Sequence, residues 1–266
     1  MNIITLTAWD LLATSSLILV LAAISLKQQF NLHKQLMIAA LRATVQLFLI
    51  GFILRWLFGD INPLWLTVVA LVMLLAAGRE VIGRQQRPFT GSFGYLSSVL
   101  SMFLSSFILA IATLTIIIQP DPWFSPQYAI PLLGMLLGNT MNGISISMDR
   151  LTTTAWQQQH IIEQRLMLGE RGAEALSDIK KDAMRAGMIP SINGMASAGI
   201  VALPGMMTGQ ILAGSAPLDA VKYQLLILFL ITAGSGFGVY ASLELGSRRL
   251  FDARHRLRLE RIANQT

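Results

Sequence analysis

Long apolar runs separated by short polar stretches cover almost the whole chain. A membrane-spanning helix needs roughly 20 mostly apolar residues, and seven runs approach or exceed that length. The sixth run contains Pro204, Gly205 and further glycines, so we expect it to be kinked or broken. The pattern predicts an all-α, polytopic membrane protein with about seven transmembrane helices. We place these spans at residues 8–26, 36–58, 63–77, 94–118, 128–148, 188–213 and 223–245.

Two polar segments lie outside the predicted spans. Residues 149–187 are long enough for two or three helices, and residues 246–266 form a basic tail. The composition agrees with this division, because 54% of the 266 residues are hydrophobic and only 13% are charged, against about 25% charged in soluble domains. We therefore expect one transmembrane domain over residues 1–266 and no second, soluble domain.

The distribution of Lys and Arg predicts the topology. Seventeen of the 20 lie in loops on one side of the seven-span arrangement, whereas Arg55 and Lys222 lie on the other side. Because basic residues accumulate in cytoplasmic loops, we predict that the N-terminus is outside and the C-terminus inside. We assign the net charge of +6 to this bias and to contact with membrane lipid, and expect no nucleic-acid partner.

The sequence lacks the motifs of an enzyme. It has no cysteine and three scattered histidines, and the phosphate-binding loop G-x-x-x-x-G-K-[ST] is absent, as are H-E-x-x-H and G-x-S-x-G. We predict no catalytic residues and no cofactor bound by this chain. If the protein works as a pump, ATP and Mg²⁺ must bind to a separate chain.

Polar and sulfur-bearing residues mark the fifth run as a candidate substrate pathway. Met135, Asn139 and Asn142 follow the spacing i, i+4, i+7 on one helix face, and Met141 lies on the stripe beside them. The alternative is close helix packing, in which small residues let neighbours approach and buried asparagine bonds across helices. The two interpretations are compatible.

A second candidate pathway site lies in the sixth run, where Met206 and Met207 follow the break at Pro204 and Gly205. A broken helix at membrane depth exposes carbonyl groups that can coordinate a cation, although an intramembrane Pro-Gly also serves as a packing kink. Thioether sulfur favours copper(I), while amide oxygens are harder ligands. Ligand chemistry therefore leaves the metal unknown.

The polar segment at 149–187 reads as a helix, a glycine turn and a second helix, with Glu163 six residues before Gly169. This spacing resembles the cytoplasmic EAA-type loop of ABC importer permeases, which docks into a groove of the ATPase. The alternative is an amphipathic hairpin that lies on anionic lipid.

Longer motifs carry a more specific resemblance. The stretches "LRATVQLFLIGFIL", "IPLLGMLLGNTMNGISISMDRL", "RAGMIPSINGMASAGIVALPGMMTGQILAG" and "AVKYQLLILFLI" look like the FetB family of ABC permeases, over nearly the whole chain. The resemblance implies a bacterial inner-membrane permease that pairs with a FetA-type ATPase, as two permease and two ATPase chains. The resemblance to the EAA-type loop implies ATPase coupling through Glu163, Gly169 and Gly172. The FetB resemblance links the chain to iron export, oxidative-stress resistance and plant aluminium tolerance.

We therefore predict the permease subunit of an ABC transporter that exports iron or a related metal. An ABC permease for a non-metal small molecule stays open as an alternative. A secondary transporter would need ion-coupling carboxylates at mid-membrane, but the acidic residues cluster at the ends of the spans. A third alternative is a membrane scaffold without a transport role.

Overall fold

A computed structural model of the chain describes residues 7–57 and 62–263. Within these ranges the backbone is helical almost throughout, and β-pairing is confined to isolated bridges. Ten α-helices follow one another: α1 (Ala8–Lys27), α2 (His33–Leu57), α3 (Pro63–Gly83), α4 (Phe93–Ile118), α5 (Pro126–Gln157), α6 (Gln159–Met167), α7 (Gly172–Ala175), α8 (Ser177–Ser197), α9 (Gly205–Leu212) and α10 (Pro217–Arg249).

Six of these helices, namely α1 to α5 and α10, are long and apolar enough to cross a membrane. The protein is thus an all-α, multi-pass membrane protein. The sixth predicted span, 188–213, is instead divided between α8 and α9, because the helix ends at Ser197 and Gly199 adopts a left-handed φ of 84°. Pro204 then precedes the start of α9 and cannot donate a backbone hydrogen bond.

The helices extend further than their apolar runs. α3 continues to Gly83 and α5 to Gln157, whereas the apolar pattern ends at residues 77 and 148. Hydropathy marks where a helix leaves the apolar layer, and a helix can continue beyond that point because its backbone hydrogen bonds are satisfied within the helix. The segment at 149–187 therefore begins as a continuation of α5.

The described chain divides into two compact units. The first contains α1 and α2 together with Leu212–Gly214, and the second contains the remaining residues from Pro63 onward. In the first unit, α1 and α2 are joined by a turn in which Gln29 and Asn31 have positive φ. The turn is held by the buried Ser25, whose hydroxyl accepts a hydrogen bond of 3.0 Å from the Leu32 N–H.

The second unit is built around α5, which packs against α3, α4, α8 and α10. α5 and α8 cross at Gly143 and Gly187, where a Cβ atom on Gly187 would lie 2.7 Å from the Gly143 carbonyl oxygen. Val239 of α10 closes the same crossing, 3.0 Å from the place of a Cβ on Gly143. α5 and α8 thus meet at backbone distance, with the Val239 side chain of α10 against them, the arrangement that small residues permit in membrane bundles.

Buried serines line the face of α4 that packs into this bundle. The Ser106 hydroxyl lies 3.4 Å from the Thr140 hydroxyl of α5, and Gly238 of α10 approaches Thr140 and Ser105 closely. α4 contains two π-helical turns, Phe103–Phe107 and Thr113–Ile118, the first of which falls within the serine stripe. The buried serines of this face are Ser97, Ser98, Ser101, Ser105 and Ser106.

The basic tail is folded as far as residue 263. The Thr90 N–H donates to the Arg261 carbonyl and the Ala263 N–H donates to the Pro88 carbonyl, each at 2.8 Å. Asp252 accepts from the Arg254 and Arg256 N–H groups at 2.9 Å, and the Arg256 backbone hydrogen bond lowers the pKa of Asp252 to about 2. The tail therefore fastens onto the loop between α3 and α4.

Candidate coupling segment and polar pocket

Three polar segments meet at one end of the second unit, which we call the basic end: residues 84–92, 149–187 and 246–263. The segment 159–175, which contains α6 and α7 and which we call the coupling hairpin, belongs to this end. One residue, Gln158, separates α6 from α5, and one residue, Leu176, separates α7 from α8. Each end of the coupling hairpin is therefore joined to a long helix by a single residue.

Arg165 holds the coupling hairpin together. Its guanidinium forms ion pairs with Glu170 at 2.7 Å and Asp178 at 3.1 Å, and donates to the Ala175 carbonyl at 3.2 Å. The hydrogen bond to Glu170 raises the pKa of Arg165 above its ordinary value. One side chain on α6 thus contacts the turn, the end of α7 and the first turn of α8.

The three predicted coupling residues occupy different positions in the hairpin. Glu163 is half-buried and accepts a hydrogen bond from Gln159 at 2.9 Å. Gly169 forms the turn with a φ of 96°, a left-handed conformation that favours glycine. Gly172 is buried against the tail, where a Cβ atom would lie 2.7 Å from the ring of Phe251.

Two apolar side chains form the tip of the coupling hairpin. Met167 and Leu168 are 79% and 85% exposed and directly precede Gly169. The sequence prediction did not assign them a role, although an apolar pair before a glycine within a polar segment is a readable signal. An exposed apolar pair held on a rigid turn suits insertion into a groove of another protein.

The predicted pathway residues are split between two cores. Met135 and Met206 both pack against the core that contains Leu136 and Ile227, whereas Met141 packs against the core that contains Ile144 and Val239. Met207 is half-buried.

The two asparagines also separate. Asn139 donates to the Met135 carbonyl at 2.8 Å, within its own helix. Asn142 is exposed, and its Oδ1 accepts a hydrogen bond of 2.6 Å from Arg84 Nη1. Of the six predicted pathway residues, the structure therefore brings Met135 and Met206 to one core and directs Asn142 toward the basic end.

Asn142 lines a pocket of 410 Å³ between the polar parts of α5 and α8, which we call the polar pocket. The Ser145 hydroxyl in this pocket is buried, with 4% of the residue exposed, and has no hydrogen-bond partner among the described residues. Arg150 at the pocket forms an ion pair of 2.6 Å with Asp182 of α8. The pocket is lined by Arg84, Asn142, Ser145, Ile146, Asp149, Arg150, Ala186 and Pro190.

Within residues 7–57 and 62–263, no group of three or more His, Asp or Glu side chains is placed to enclose a metal ion. Oxygen atoms at the polar pocket come instead from mixed sources, since Asn142 contributes an amide, Ser145 a hydroxyl and Asp149 a carboxylate. Asp149 Oδ1 also accepts from the Gln86 N–H at 2.7 Å. The guanidinium groups of Arg84 and Arg150 line the same pocket.

Comparison with known proteins identifies relatives along nearly the whole chain. The UPF0014 membrane protein slr1647 of Synechocystis sp. is 39% identical over 239 residues, covering 89% of this chain and 91% of that protein. The "Probable iron export permease protein FetB" of Escherichia coli is 29% identical over 258 residues, 97% of each chain. "Protein ALUMINUM SENSITIVE 3" of Arabidopsis thaliana is 29% identical over 217 residues, 80% of this chain and 77% of that protein.

No solved structure matches the chain. The family model described as an uncharacterised protein family, UPF0014, matches residues 8–251, which extend from the start of α1 to the beginning of the tail. The resemblance to the FetB family drawn from the sequence motifs is confirmed by this match and by the Escherichia coli relative. The chain belongs to the UPF0014 family.

Proposed function

We propose that this chain is the permease subunit of an ABC-type exporter of iron or a related metal, driven by a separate FetA-type ATPase. The observation that carries the proposal is the coupling hairpin. Its turn is held by ion pairs, its apolar tip is exposed, and its two ends lead directly into α5 and α8. The working assembly contains two copies of this chain and two ATPase chains, with ATP and Mg²⁺ on the ATPase.

The geometry supports a push-and-tilt mechanism. Force on Met167 and Leu168 passes through the Arg165 ion pairs to α8, and along α6 and Gln158 to α5, without a flexible linker. The two helices cross at Gly143 and Gly187, so displacement at the basic end turns them about this close contact. Hinged movement of packed helices about a fixed crossing is a common switching mode, and here it alternates the openings of the pathway.

The choice of metal rests on the relatives, because the name of the Escherichia coli protein refers to iron export. Asn139 and Asn142 on α5 and Met206 and Met207 on α9 supply amide and thioether groups along the proposed pathway. These groups accept several metals. A substrate screen is therefore part of the test.

The first test changes the tip of the hairpin. Leu168→Glu places a charge where the proposal requires burial in the ATPase groove, and burying an unpaired charge is costly. We expect at least a tenfold loss of ATPase copurification, measured in lipid nanodiscs by gel densitometry. Gln164→Glu adds the same charge to an exposed position of α6 and serves as the matched control.

Equal copurification of the Leu168→Glu and unmodified proteins contradicts docking through the tip. The same complex is then titrated with Fe(II), Mn(II), Zn(II) and Cu(I). Saturable stimulation of ATP hydrolysis by one metal supports the metal exporter, whereas a stable complex that ignores all four metals moves the substrate to an organic molecule. Failure of any ATPase to associate removes the ABC assignment.

A further inference from the structure

A second pocket at the basic end, which we call the lysine pocket, lies between the start of α8 and the last turns of α10. Its volume is 420 Å³, within the usual range of small-molecule sites. Among the described residues that line it there are two lysines and no carboxylate. α8 contributes Ser177, Lys180, Lys181 and Met184, and α10 contributes Tyr240 and Leu243.

The lysine pocket combines positive charge with an apolar wall. Its four residues on α8 follow the spacing i, i+3, i+4, i+7, which places them on one helix face. This face begins with the hydroxyl of Ser177 and two ammonium groups, and it ends with the thioether of Met184. α10 adds the ring of Tyr240 and the buried side chain of Leu243. Such a lining suits a ligand with an anionic part and an apolar part.

The lysine pocket lies where α10 leaves the apolar layer. Residues 223–243 contain no charged side chain, and a helix of that length spans roughly 30 Å, the thickness of the hydrocarbon core. Glu244 is the first charged residue after this run, and Lys180 forms an ion pair with it. The ammonium group of Lys180 therefore lies at the boundary between the hydrocarbon core and the lipid headgroups.

Two exposed aromatic side chains extend the apolar wall into that layer. Tyr240 is 59% exposed, and Phe237, one turn further from Glu244, is 61% exposed. The spacing i, i+3 places both rings on the same side of α10. The Lys180 Nζ atom lies 5.7 Å from the centre of the Tyr240 ring. Tyrosine is enriched at this depth in membrane proteins because its ring is apolar and its hydroxyl is polar.

Both lysines keep the capacity to bind an anion. Lys180 has three N–H donors, and its partner Glu244 is shared with Arg248, which lies 2.9 Å from the same carboxylate. Lys181 pairs with Asp178 at 3.5 Å, and both side chains are largely exposed. Exposed pairs of this kind contribute little. A phosphate in the lysine pocket would therefore meet positive charge that the neighbouring carboxylates do not fully neutralise.

We propose that the lysine pocket binds an anionic phospholipid, with its phosphate held by Lys180 and Lys181 and an acyl chain lying along Met184 and Tyr240. Basic pockets between transmembrane helices recognise anionic headgroups in this way. A lipid uses both the charge and the apolar wall, whereas an acidic segment of a soluble partner would use the charge alone. The inference goes beyond the proposed transport function and does not depend on it.

The test measures phosphatidylglycerol bound to the whole chain in detergent, by native mass spectrometry at increasing lipid concentration. Phosphatidylcholine, which carries no net charge, is the reference lipid. Lys181→Gln is expected to weaken phosphatidylglycerol binding about fivefold, the contribution of one lysine near an anionic headgroup. Lys222→Gln is the matched control and is expected to leave binding unchanged, since Lys222 is a similarly exposed lysine in an i, i+3 ion pair near the opposite end of α10.

A third variant is expected to produce a gain. Asp178→Asn removes the carboxylate that pairs with Lys181, so we expect severalfold tighter phosphatidylglycerol binding, which misfolding cannot imitate. The proposal is overturned if Lys181→Gln binds phosphatidylglycerol as tightly as the unmodified chain, or if Lys222→Gln weakens binding equally. Equal binding of the two lipids, or weaker binding by Asp178→Asn, would also overturn it.

Two further measurements identify the ligand. Displacement of phosphatidylglycerol by inorganic phosphate would indicate a small-anion site and overturn the lipid assignment. Normal lipid binding by Lys181→Gln together with a loss of ATPase copurification would assign this face to a protein contact and overturn it as well. Leu168→Glu is expected to bind phosphatidylglycerol normally, since the tip of the coupling hairpin does not line the lysine pocket, so failure of docking and failure of lipid binding are distinguishable.

Discussion

α2 and α5 are both apolar helices, but α5 buries far more of its surface than α2 does. The most apolar stretch of α2 has a mean hydropathy of 2.0, and none of its described residues is buried, whereas that of α5 has a mean hydropathy of 1.3 and is 56% buried. The less hydrophobic helix is thus the more buried of the two. In a bilayer, lipid tails accept leucine and phenylalanine as readily as a protein core does, so helix association depends on small and polar residues.

The largest expected effect tests whether small residues set the packing of α5. Gly187→Leu would place a side chain against the Gly143 backbone and the Ser147 Cβ atom, 2.7 and 2.8 Å from its own Cβ. Because backbone cannot move aside cheaply, we expect the variant to lose its monodisperse peak in size-exclusion chromatography. Gly51→Leu on α2, where a Cβ would meet no described atom within 4 Å, is expected to keep it. If both variants keep the monodisperse peak, or both lose it, small residues do not determine the packing of α5.

An intermediate effect separates protein packing from lipid contact. Leu136→Ala on α5 removes a side chain with 0% exposure and is expected to lower the free energy of unfolding by about 2–5 kcal/mol. Leu47→Ala on α2, where the side chain is 69% exposed, should change it by less than about 0.5 kcal/mol. Unfolding in SDS–detergent mixtures measures both. A costly Leu47→Ala would show that α2 packs against protein.

The smallest effect concerns a single hydroxyl. Thr140→Val keeps the shape of the side chain but leaves the buried Ser106 hydroxyl without its partner on α5, so we expect a loss of about 0.5–1 kcal/mol. Thr44→Val on α2 removes a hydroxyl that donates to the Ala40 carbonyl of its own helix at 2.9 Å, and no loss is expected. Thermal unfolding of the two variants in parallel gives the difference, and an unchanged Tm for Thr140→Val would contradict it.

The helical architecture was accessible from the sequence because apolar length is a local property. The same pattern could not show that α5 continues to Gln157, since the apolar run ends at residue 148 and does not indicate whether the polar residues after it belong to the same helix. The sixth apolar run shows how far the sequence alone could locate a helix end. Pro204 and Gly205 indicated a break, but the helix already ends at Ser197.

The candidate site was less predictable. Helical spacing placed Met135 and Met141 on neighbouring stripes of one helix, but could not indicate that they join different cores, because that depends on the neighbouring helices. The contact of Arg84 with Asn142 joins residues 58 positions apart, and no local pattern encodes it. The coupling role of Glu163, Gly169 and Gly172 stays a prediction, although the glycine turn is present.

The pairing of the tail with the loop between α3 and α4 has a consequence for biosynthesis. Thr90 and its partner Arg261 are 171 residues apart, and synthesis of that length takes on the order of 10–30 s at about 5–20 residues per second. Throughout that interval the backbone groups of Pro88 and Thr90 lack their final partners. The basic end is therefore completed late, and the emerging chain must wait for its tail before the coupling hairpin gains the support of Phe251.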